Sequence, residues 1–397
     1  MSEQKYKVPM SSPDLNDEDR QAVMDVLQTN TLSIGPRVEA FEDAVRNYTS
    51  AGYAIAVNSG TAGLHLCIRA SGIKAGDLVI TTPFSFISST NVILFEHAIP
   101  IFVDVDPLTG NMDVRQTTEA VNDLVSGNSR LIEKWMPGNN LPNAGRLKAI
   151  LAVDVFGQPA DYDALSLICR QHNLSLIEDS CEALGSEYRG EKAGRLGNYG
   201  VFAYYPNKQM TTGEGGMVIT DDQKAAEFMK SLRNQGRAPG DTWLQHTYLG
   251  YNYRLDEMSA ALGVSQMKRI DELIQKRARI ADDYNQQLNQ IDGVETPIIL
   301  PETTKMSWFV YVIRLSNGLD RTRIAARMES AGIPVRPYFL PIHLQPYLAK
   351  QFGYQPGDYP VTEDLGRRSL ALPFSSSMTT SQVDLVCHEL AESIKEA

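Results

Sequence analysis

Short apolar runs that alternate with helical segments are the feature that most limits the fold of this chain. Each run ends in small or polar residues, which is typical of buried strands that lead into turns. The runs cover 53–57, 78–82, 100–106, 149–155, 174–179, 200–204 and 217–220. Helical periodicity occurs before or between them, over 13–28, 89–95 and 162–172. Strands that alternate with helices predict an α/β fold, in which helices flank a mostly parallel sheet.

The pattern changes near residue 255, where the alternation gives way to a long amphipathic segment. A chain of 397 residues can bury two cores. We therefore predict a large α/β domain over 1–255 and, over 256–397, a linking helix followed by a smaller α+β domain; the N-terminal segment could pack on the small domain. The predicted C-terminal elements are helices over 256–288, 321–331 and 380–394 and strands over 308–314 and 334–338. Residues 125–147 are predicted to be a loop-rich insertion without an assigned function.

Composition excludes several classes of function. The formal net charge of -11 opposes nonspecific contact with nucleic acid or an anionic membrane. The four cysteines are scattered without a CxxC pair or a histidine cluster, which excludes a compact zinc site and gives no sign of a disulfide framework. Residues 1–5 are polar, and no apolar run reaches membrane-spanning length. We expect a cytoplasmic protein that binds no nucleic acid, membrane or metal.

Lys208 and Asp179 supply the chemistry that most restricts the function. Lys208 precedes a glycine-rich turn over 213–216, and Asp179 closes the strand over 174–179. A lysine that can form a Schiff base and an aspartate that can pair with a protonated pyridine nitrogen are the minimum requirement for pyridoxal phosphate (PLP). These two residues alone do not decide the matter, because most lysines are solvated and an aspartate after a strand is commonly a turn residue or a helix cap.

The stronger argument for such a site is that several candidate residues are predicted to meet at one edge of the sheet. Ligands of open α/β sheets bind beyond the carboxyl ends of the strands. Four residues follow such ends closely, namely Thr61, Phe86, Asp179 and Lys208. Residues 58–63 form a small-residue turn before a helix expected from about Leu64, where amides and hydroxyls could hold a phosphate. A plain helix cap explains the same turn equally well.

Taken together, these segments resemble the DegT family of PLP-dependent nucleotide-sugar aminotransferases, which have the aspartate-aminotransferase fold (fold type I). The resemblance extends over nearly the whole chain and is most specific at 205–208 and 211–216, with support from 156–158 and 251–257. It implies transfer of an amino group from L-glutamate to a keto group of a nucleotide-activated deoxysugar. The reaction would be ping-pong through pyridoxamine phosphate and would serve polysaccharide biosynthesis.

The resemblance also implies roles for individual residues. Lys208 would carry the cofactor as a Schiff base and move a proton, and Asp179 would keep the pyridine nitrogen protonated. Phe86 would stack on the cofactor ring, and Asn252 would reach the phosphate bound by the neighbouring subunit, which implies a homodimer with shared active sites. The remaining cofactor contacts would come from Gly60, Thr61, Ala62 and Glu182. The nucleotide-sugar side would be lined by Arg37, Tyr338 and His343.

Three positions depart from the family pattern. Ala203 stands where a phosphate-contacting serine is usual, and Gln235 stands where a histidine is frequent. Glu182 stands where glutamine or histidine is common, near the phenolic oxygen of the cofactor. Burial of this carboxylate would favour its protonated form.

Three alternative functions are weaker. A sugar dehydratase of the same family, which uses pyridoxamine phosphate, would have histidine in place of Lys208. A PLP-bound regulatory protein without turnover would show a broken catalytic set or an added DNA-binding module. A nicotinamide-dependent oxidoreductase would need the G-x-G-x-x-G pattern, which the turn after Val57 lacks.

Overall fold

The computed structural model describes residues 6–138 and 145–396. Within these ranges the α-helices are α1 (Asp17–Leu27), α2 (Pro36–Thr49), α3 (Gly60–Ala70), α4 (Ser88–Phe95), α5 (Val114–Val125), α6 (Ser129–Trp135), α7 (Tyr162–His172), α8 (Gln223–Arg233), α9 (Glu257–Met267), α10 (Ile270–Leu288), α11 (Arg321–Ser330), α12 (Pro346–Phe352), α13 (Pro360–Arg368) and α14 (Thr380–Lys395). The strands are β1 (Tyr53–Val57), β2 (Leu78–Thr81), β3 (Ile99–Phe102), β4 (Leu147–Val153), β5 (Ser175–Asp179), β6 (Glu187–Tyr188), β7 (Glu191–Lys192), β8 (Tyr199–Ala203), β9 (Gly216–Thr220), β10 (Val294–Glu295), β11 (Thr303–Lys305), β12 (Tyr311–Leu315) and β13 (Ser369–Leu372).

A seven-stranded sheet organises the first half of the described chain, in the order β1-β9-β8-β5-β4-β2-β3. The pairs from β8 through β3 are parallel, whereas β9 runs antiparallel to both β1 and β8. Apolar residues of α3 and α8 pack in one core cluster with the sheet, and residues of α5 and α7 pack in another. Helices therefore cover the strands, which explains why the strands are almost continuously apolar. The predicted mostly parallel sheet flanked by helices is confirmed.

A second, antiparallel sheet follows, in the order β10-β12-β13. It shares a core cluster with α10, α11 and α14, to which Tyr284, Ile313 and Leu390 belong. Val8 lies in the same cluster, and the Lys7 N–H donates to the Gly332 carbonyl at 2.9 Å. We propose the division of the chain at residues 255 and 256 on this basis, with the N-terminal segment packed on the smaller part.

Three predicted elements are wrong in detail. The long helix over 256–288 is broken between Met267 and Ile270, where Arg269 has non-helical backbone angles (φ -113°, ψ 8°) and binds Asp14 through its guanidinium. The helix expected from about Leu64 begins at Gly60, because Ser59 serves as its N-cap.

The third error concerns the C-terminal strands. Residues 334–338 are not a strand, and Arg336 makes only an isolated bridge with Ala371. The strands that pair with β12 are β10 and β13, neither of which the sequence pattern indicates.

The predicted insertion over 125–147 is only partly a loop. It contains α6, whose Trp135 donates from Nε1 to the Asp123 carboxylate at 2.8 Å. Residues 139–144 of the insertion, and the polar residues 1–5, lie outside the described ranges. Among the described residues, no helix is both long and apolar enough to cross a membrane.

Candidate active site

The candidate site lies at the carboxyl ends of the parallel strands, where side chains from β1, β2, β5 and β8 come together. Asp179 is the last residue of β5, and its side chain is buried. The Ser89 hydroxyl of α4 donates to Asp179 Oδ2 at 2.7 Å, and the Cys181 N–H donates to Oδ1 at 3.3 Å. The carboxylate is thereby fixed in orientation from two sides.

Lys208 lies in the loop that follows β8 and is mostly buried, with 13% of its side chain exposed. Its Nζ is 3.7 Å from Glu182 Oε1 and 3.7 Å from the centroid of the Phe309 ring. A carboxylate and an aromatic face both attract an ammonium group. The lysine amine is therefore held in one place at the edge of the sheet.

A buried arginine fixes the backbone of the same loop. Arg277 of α10 donates to the carbonyl of Lys208 at 2.6 Å and to that of Asn207 at 3.2 Å. It also donates to the carbonyls of Trp308 and Phe309 at 3.1 and 3.0 Å. One guanidinium therefore connects the lysine loop to the segment that supplies the aromatic ring over Nζ. The sequence pattern singles out neither Arg277 nor Phe309, because both act through contacts distant in the chain.

Glu182 is the second carboxylate of the site, and 8% of its side chain is exposed. Its Oε2 accepts a hydrogen bond from the Phe156 N–H at 2.9 Å. Burial raises the pKa of Glu182 to about 7, while Lys208 and the Phe156 amide lower it and Asp179 adds to the rise. The group is therefore poised to exchange a proton near neutral pH.

The N-terminus of α3 lies directly after β1, at the same edge of the sheet. Ser59 caps the helix by accepting the Ala62 N–H at 3.1 Å, so the Ala62 amide is already engaged. The amides of Gly60 and Thr61 precede the first intrahelical donor and lie at the positive end of the helix. A Cβ on Gly60 would come within 2.8 Å of both the Ala203 Cβ and the Cys181 Sγ. Only glycine fits at this position without displacing its neighbours.

Phe86 lies on the turn after β2, and 62% of its side chain is exposed. Its carbonyl accepts a hydrogen bond from the Ser85 hydroxyl at 2.8 Å and lies 3.2 Å from Ser89 Oγ. Because Ser89 also contacts Asp179, the structure brings Phe86 and the carboxylate to the same edge of the sheet.

Tyr338, which the resemblance assigns to the nucleotide-sugar side, packs on the aromatic ring that contacts Lys208 Nζ. Its ring stacks on those of Phe309 and Phe156 with centroid distances of 6.4 Å each. Its pKa is raised by burial and by the Glu182 charge, which places the phenol within electrostatic reach of that carboxylate.

The other predicted substrate residues are not brought to the lysine by any described contact. His343 is completely buried, where its Nε2 is 3.0 Å from Glu363 Oε1 and its ring packs on Tyr359. Arg37 is exposed at the start of α2, and its N–H donates to the Glu257 carboxylate at 2.8 Å. Neither geometry assigns the side chain to a substrate.

Asn252 is exposed on the same chain. Its carbonyl accepts a hydrogen bond from Asn58 Nδ2 at 3.3 Å, next to the turn that begins α3. The segment that carries Asn252 therefore packs beside the N-terminus of α3 in its own subunit.

The residues at this edge fit a phosphorylated pyridine cofactor. The oriented Asp179 carboxylate suits a protonated ring nitrogen, and the Lys208 amine suits a covalent bond to an aldehyde carbon. The Gly60 and Thr61 amides at the N-terminus of α3 suit a phosphate, and the glycine lets this helix end pack closely against Ala203 and Cys181.

Comparisons with known proteins agree with this chemistry. A model of the DegT/DnrJ/EryC1/StrS aminotransferase family matches residues 13–391. GDP-perosamine synthase of Caulobacter vibrioides is 33% identical over 383 residues, which cover 96% of each chain. UDP-4-amino-4-deoxy-L-arabinose–oxoglutarate aminotransferase of Shewanella sediminis is 29% identical over 405 residues, which cover 97% of each chain. The structure of Helicobacter pylori PseC, an aminotransferase involved in the biosynthesis of pseudoaminic acid, aligns with a TM-score of 0.86 and 28% identity, covering 98% of this chain and 100% of PseC.

Proposed function

Because the chain belongs to the DegT/DnrJ/EryC1/StrS aminotransferase family, we propose that it transfers an amino group to the keto group of a nucleotide-activated deoxysugar. The resemblance inferred from the sequence motifs is confirmed, and the protein is a PLP-dependent transaminase. The proposed acceptor class is supported by the similarity to a GDP-perosamine synthase. The proposed donor is L-glutamate, since the Shewanella relative is named for oxoglutarate, the keto acid that glutamate becomes when it loses its amino group.

The observation that carries this proposal is the arrangement of Lys208, Asp179 and the N-terminus of α3 at one edge of the sheet. Lys208 would bond the carbonyl carbon of PLP, Asp179 would pair with its ring nitrogen, and the N-terminus of α3 would bind its phosphate. When bound, the cofactor would supply an electron sink that stabilises charge at the reacting carbon, and its aldehyde carbon would carry the amino group from the donor to the acceptor. Groups of the protein would bind and orient the cofactor and move protons.

The residues that would contact the cofactor have proposed roles. Lys208 Nζ holds the cofactor covalently and, once released by the donor, moves a proton between the reacting carbon atoms. Asp179, oriented by Ser89, keeps the ring nitrogen protonated. Phe86 packs on the face of the ring, and the amides of Gly60 and Thr61 bind the phosphate. The Ala62 amide is used to cap the helix, so we give Ala62 only a packing role.

A homodimer with shared active sites is part of the proposal. Trp243, Leu244 and Leu249 form an exposed apolar segment near Asn252, with 84% of Leu244 exposed. Large apolar side chains that are exposed together commonly mark a protein interface. We propose that this segment packs on a second copy of the chain, which would bring Asn252 to the phosphate of the partner site.

We also propose a cytoplasmic location and a role in polysaccharide biosynthesis. All four cysteines lie within the described ranges and are free, which fits a reducing compartment. The retained Lys208 supports transamination over the dehydratase alternative.

The absorbance spectrum tests the proposal directly. Purified protein should show the visible-edge band of covalently bound PLP, L-glutamate should bleach it, and a nucleotide-linked ketosugar should restore it. Lys208→Ala should lack the band and the response. A wild-type protein that stays colourless after addition of PLP would contradict the proposal, whereas bleaching that no nucleotide ketosugar reverses would contradict the acceptor class.

A further inference from the structure

Glu182 occupies a constrained position that the proposed transamination scheme does not use. Its carboxylate lies between the Phe156 N–H, at 2.9 Å from Oε2, and the Lys208 amine, at 3.7 Å from Oε1. Phe156 has a left-handed backbone (φ 59°), which costs free energy in a residue other than glycine. The turn that presents this amide to Glu182 is therefore maintained by its surroundings.

The main chain around Glu182 is fixed as well. The Gln209 side chain donates from Nε2 to the Glu182 carbonyl at 2.5 Å and to the Ser307 hydroxyl at 2.8 Å. A Cβ on Gly157 would come within 2.9 Å of the same carbonyl. Neighbouring elements thus hold the carboxylate beside the lysine and leave it little freedom to turn toward water.

The charges that face Glu182 determine how readily it binds a proton. The titratable groups within electrostatic reach are Lys208, Asp179, Cys181 and Tyr338. Among these four, Lys208 is the group that can carry a positive charge. Burial and the Asp179 carboxylate favour the neutral acid form of Glu182, and the ammonium group of Lys208 is the chief influence that opposes them.

We propose that Glu182 takes up a proton when PLP is attached to Lys208, and that it then acts as a neutral carboxylic acid beside the lysine. The inference rests on the proposed role of Lys208. Attachment removes the free ammonium group that favours the carboxylate form of Glu182. It also adds the negative charge of the cofactor phosphate to the site. Attachment of the Lys208 ammonium group to the aldehyde carbon of PLP would break the C=O bond, form a C=N bond, and release one water molecule and one proton. That proton, or one from solvent, would form the O–H bond on the Glu182 carboxylate.

The neutral acid has a function that an amide at this position lacks. A carboxylic acid can donate a hydrogen bond and can also release its proton and regain it, whereas the amide of glutamine donates and accepts hydrogen bonds but cannot act as an acid. The lysine amine must gain and lose a proton during each half-reaction. A shortening of the distance between Oε1 and Nζ by about half an ångström would bring the two groups within hydrogen-bond range.

Proton-linked calorimetry of cofactor binding tests the inference. PLP is titrated into apoenzyme in buffers that differ in ionisation enthalpy, which yields the number of protons taken up. At about pH 8, wild type should take up about 0.9 proton more than Glu182→Gln, because the carboxylate is mostly ionised before binding. The difference should shrink to about 0.1 proton at about pH 6, where Glu182 is already protonated. Glu191→Gln, at an exposed position, is the matched control and should behave as wild type.

The outcomes separate the two proposals. If wild type and Glu182→Gln take up the same number of protons at both pH values, the inference is wrong, even where reduction and mass spectrometry find the cofactor on Lys208. If no adduct forms on Lys208 in wild type, the proposed function itself fails. Should Glu182→Gln not fold, the difference infrared spectrum of wild type decides: loading with PLP should create a protonated carboxyl stretch, and its absence would overturn the inference.

Discussion

The Ser89 hydroxyl donates to Asp179 Oδ2 at 2.7 Å, which joins the start of α4 to the end of β5 across the intervening strand β4. Both residues are buried, so the hydrogen bond operates away from water. Ser89 Oγ also lies 3.2 Å from the Phe86 carbonyl oxygen. The Ser89 side chain therefore connects the Asp179 carboxylate to the turn that carries the exposed ring of Phe86.

Ser89→Ala should weaken cofactor binding without unfolding the protein. A hydrogen bond to a charged group contributes about 1.5–3 kcal/mol, so the Kd for PLP should rise by roughly ten- to a hundredfold. Fluorescence titration of apoenzyme with PLP measures this change. Ser88→Ala, one residue earlier in α4, serves as the control and should leave the Kd unchanged. Equal affinities of wild type and Ser89→Ala would show that Asp179 does not depend on this hydroxyl.

Gly60→Ala should distort the N-terminus of α3, where we propose that the phosphate binds. The added Cβ would lie 2.8 Å from both the Ala203 Cβ and the Cys181 Sγ, which is closer than real Cβ contacts. Overpacking of this kind typically costs about 1–3 kcal/mol, and PLP affinity should fall with the free energy of unfolding. Because the sulfur is one of the two obstacles, adding Cys181→Ala should recover part of both losses. Denaturant unfolding and PLP titration of the single and double variants provide the measurement, and a loss that is unaffected by Cys181→Ala would contradict the packing argument.

Arg277→Lys should destabilise the protein and misplace the lysine loop. The guanidinium donates to four carbonyls, those of Asn207, Lys208, Trp308 and Phe309, and lysine cannot reproduce this geometry. Each buried carbonyl left unpaired costs about 1–3 kcal/mol, so the free energy of unfolding should fall by several kcal/mol. Reductive trapping of PLP on Lys208 should also become slower. Arg279→Lys, at an exposed position of the same helix, should match wild type in both measurements.

The site residues that could be predicted from the sequence are largely those that follow the ends of strands. Asp179 and Lys208 are recognisable because the apolar runs before them define those ends, and the Lys208 motif is specific. Phe309 and Arg277 are not recognisable, since an aromatic residue in a strand pattern and an arginine in an amphipathic helix are unremarkable in isolation. Their importance arises from contacts formed only when the C-terminal elements fold back onto the lysine loop.

The errors in the predicted fold have similar causes. The break between α9 and α10 contains no glycine or proline, and Arg269 there binds Asp14, which precedes α1. Strand β13 consists of Ser369–Leu372 directly after a helix, so its sequence reads as a continuation of that helix. Residues 334–338 contain Pro334 and Pro337, which cannot donate to a strand ladder, and Arg336 between them makes only an isolated bridge. Tertiary contacts decide the helix break and the position of β13, and local sequence does not contain them.

His343 should make stability depend on pH in the weakly acidic range. Burial lowers its pKa below the ordinary value of 6.5, although Glu363 opposes the shift. The unfolded state therefore binds a proton more readily than the folded state, and the free energy of unfolding should fall as pH decreases below 6.5 toward the folded pKa. His343→Gln should flatten this dependence, whereas His388→Gln, at an exposed position, should leave it unchanged. Urea unfolding between about pH 5 and pH 8 measures the slope, and identical slopes for wild type and His343→Gln would refute the assignment.

Leu244→Asp should disrupt the proposed homodimer and thereby the active site. Leu244 is 84% exposed within the chain and belongs to the apolar segment with Trp243 and Leu249, so the substitution should not affect folding of the monomer. A charge buried at an interface is strongly unfavourable without a partner, and the variant should elute as a monomer in light-scattering chromatography. PLP affinity should fall in the same variant, because Asn252 would no longer reach the phosphate of the other subunit. Leu27→Asp, which changes another exposed leucine away from this segment, controls for the added charge. A dimeric Leu244→Asp protein with normal PLP affinity would show that the dimer interface lies elsewhere on the surface.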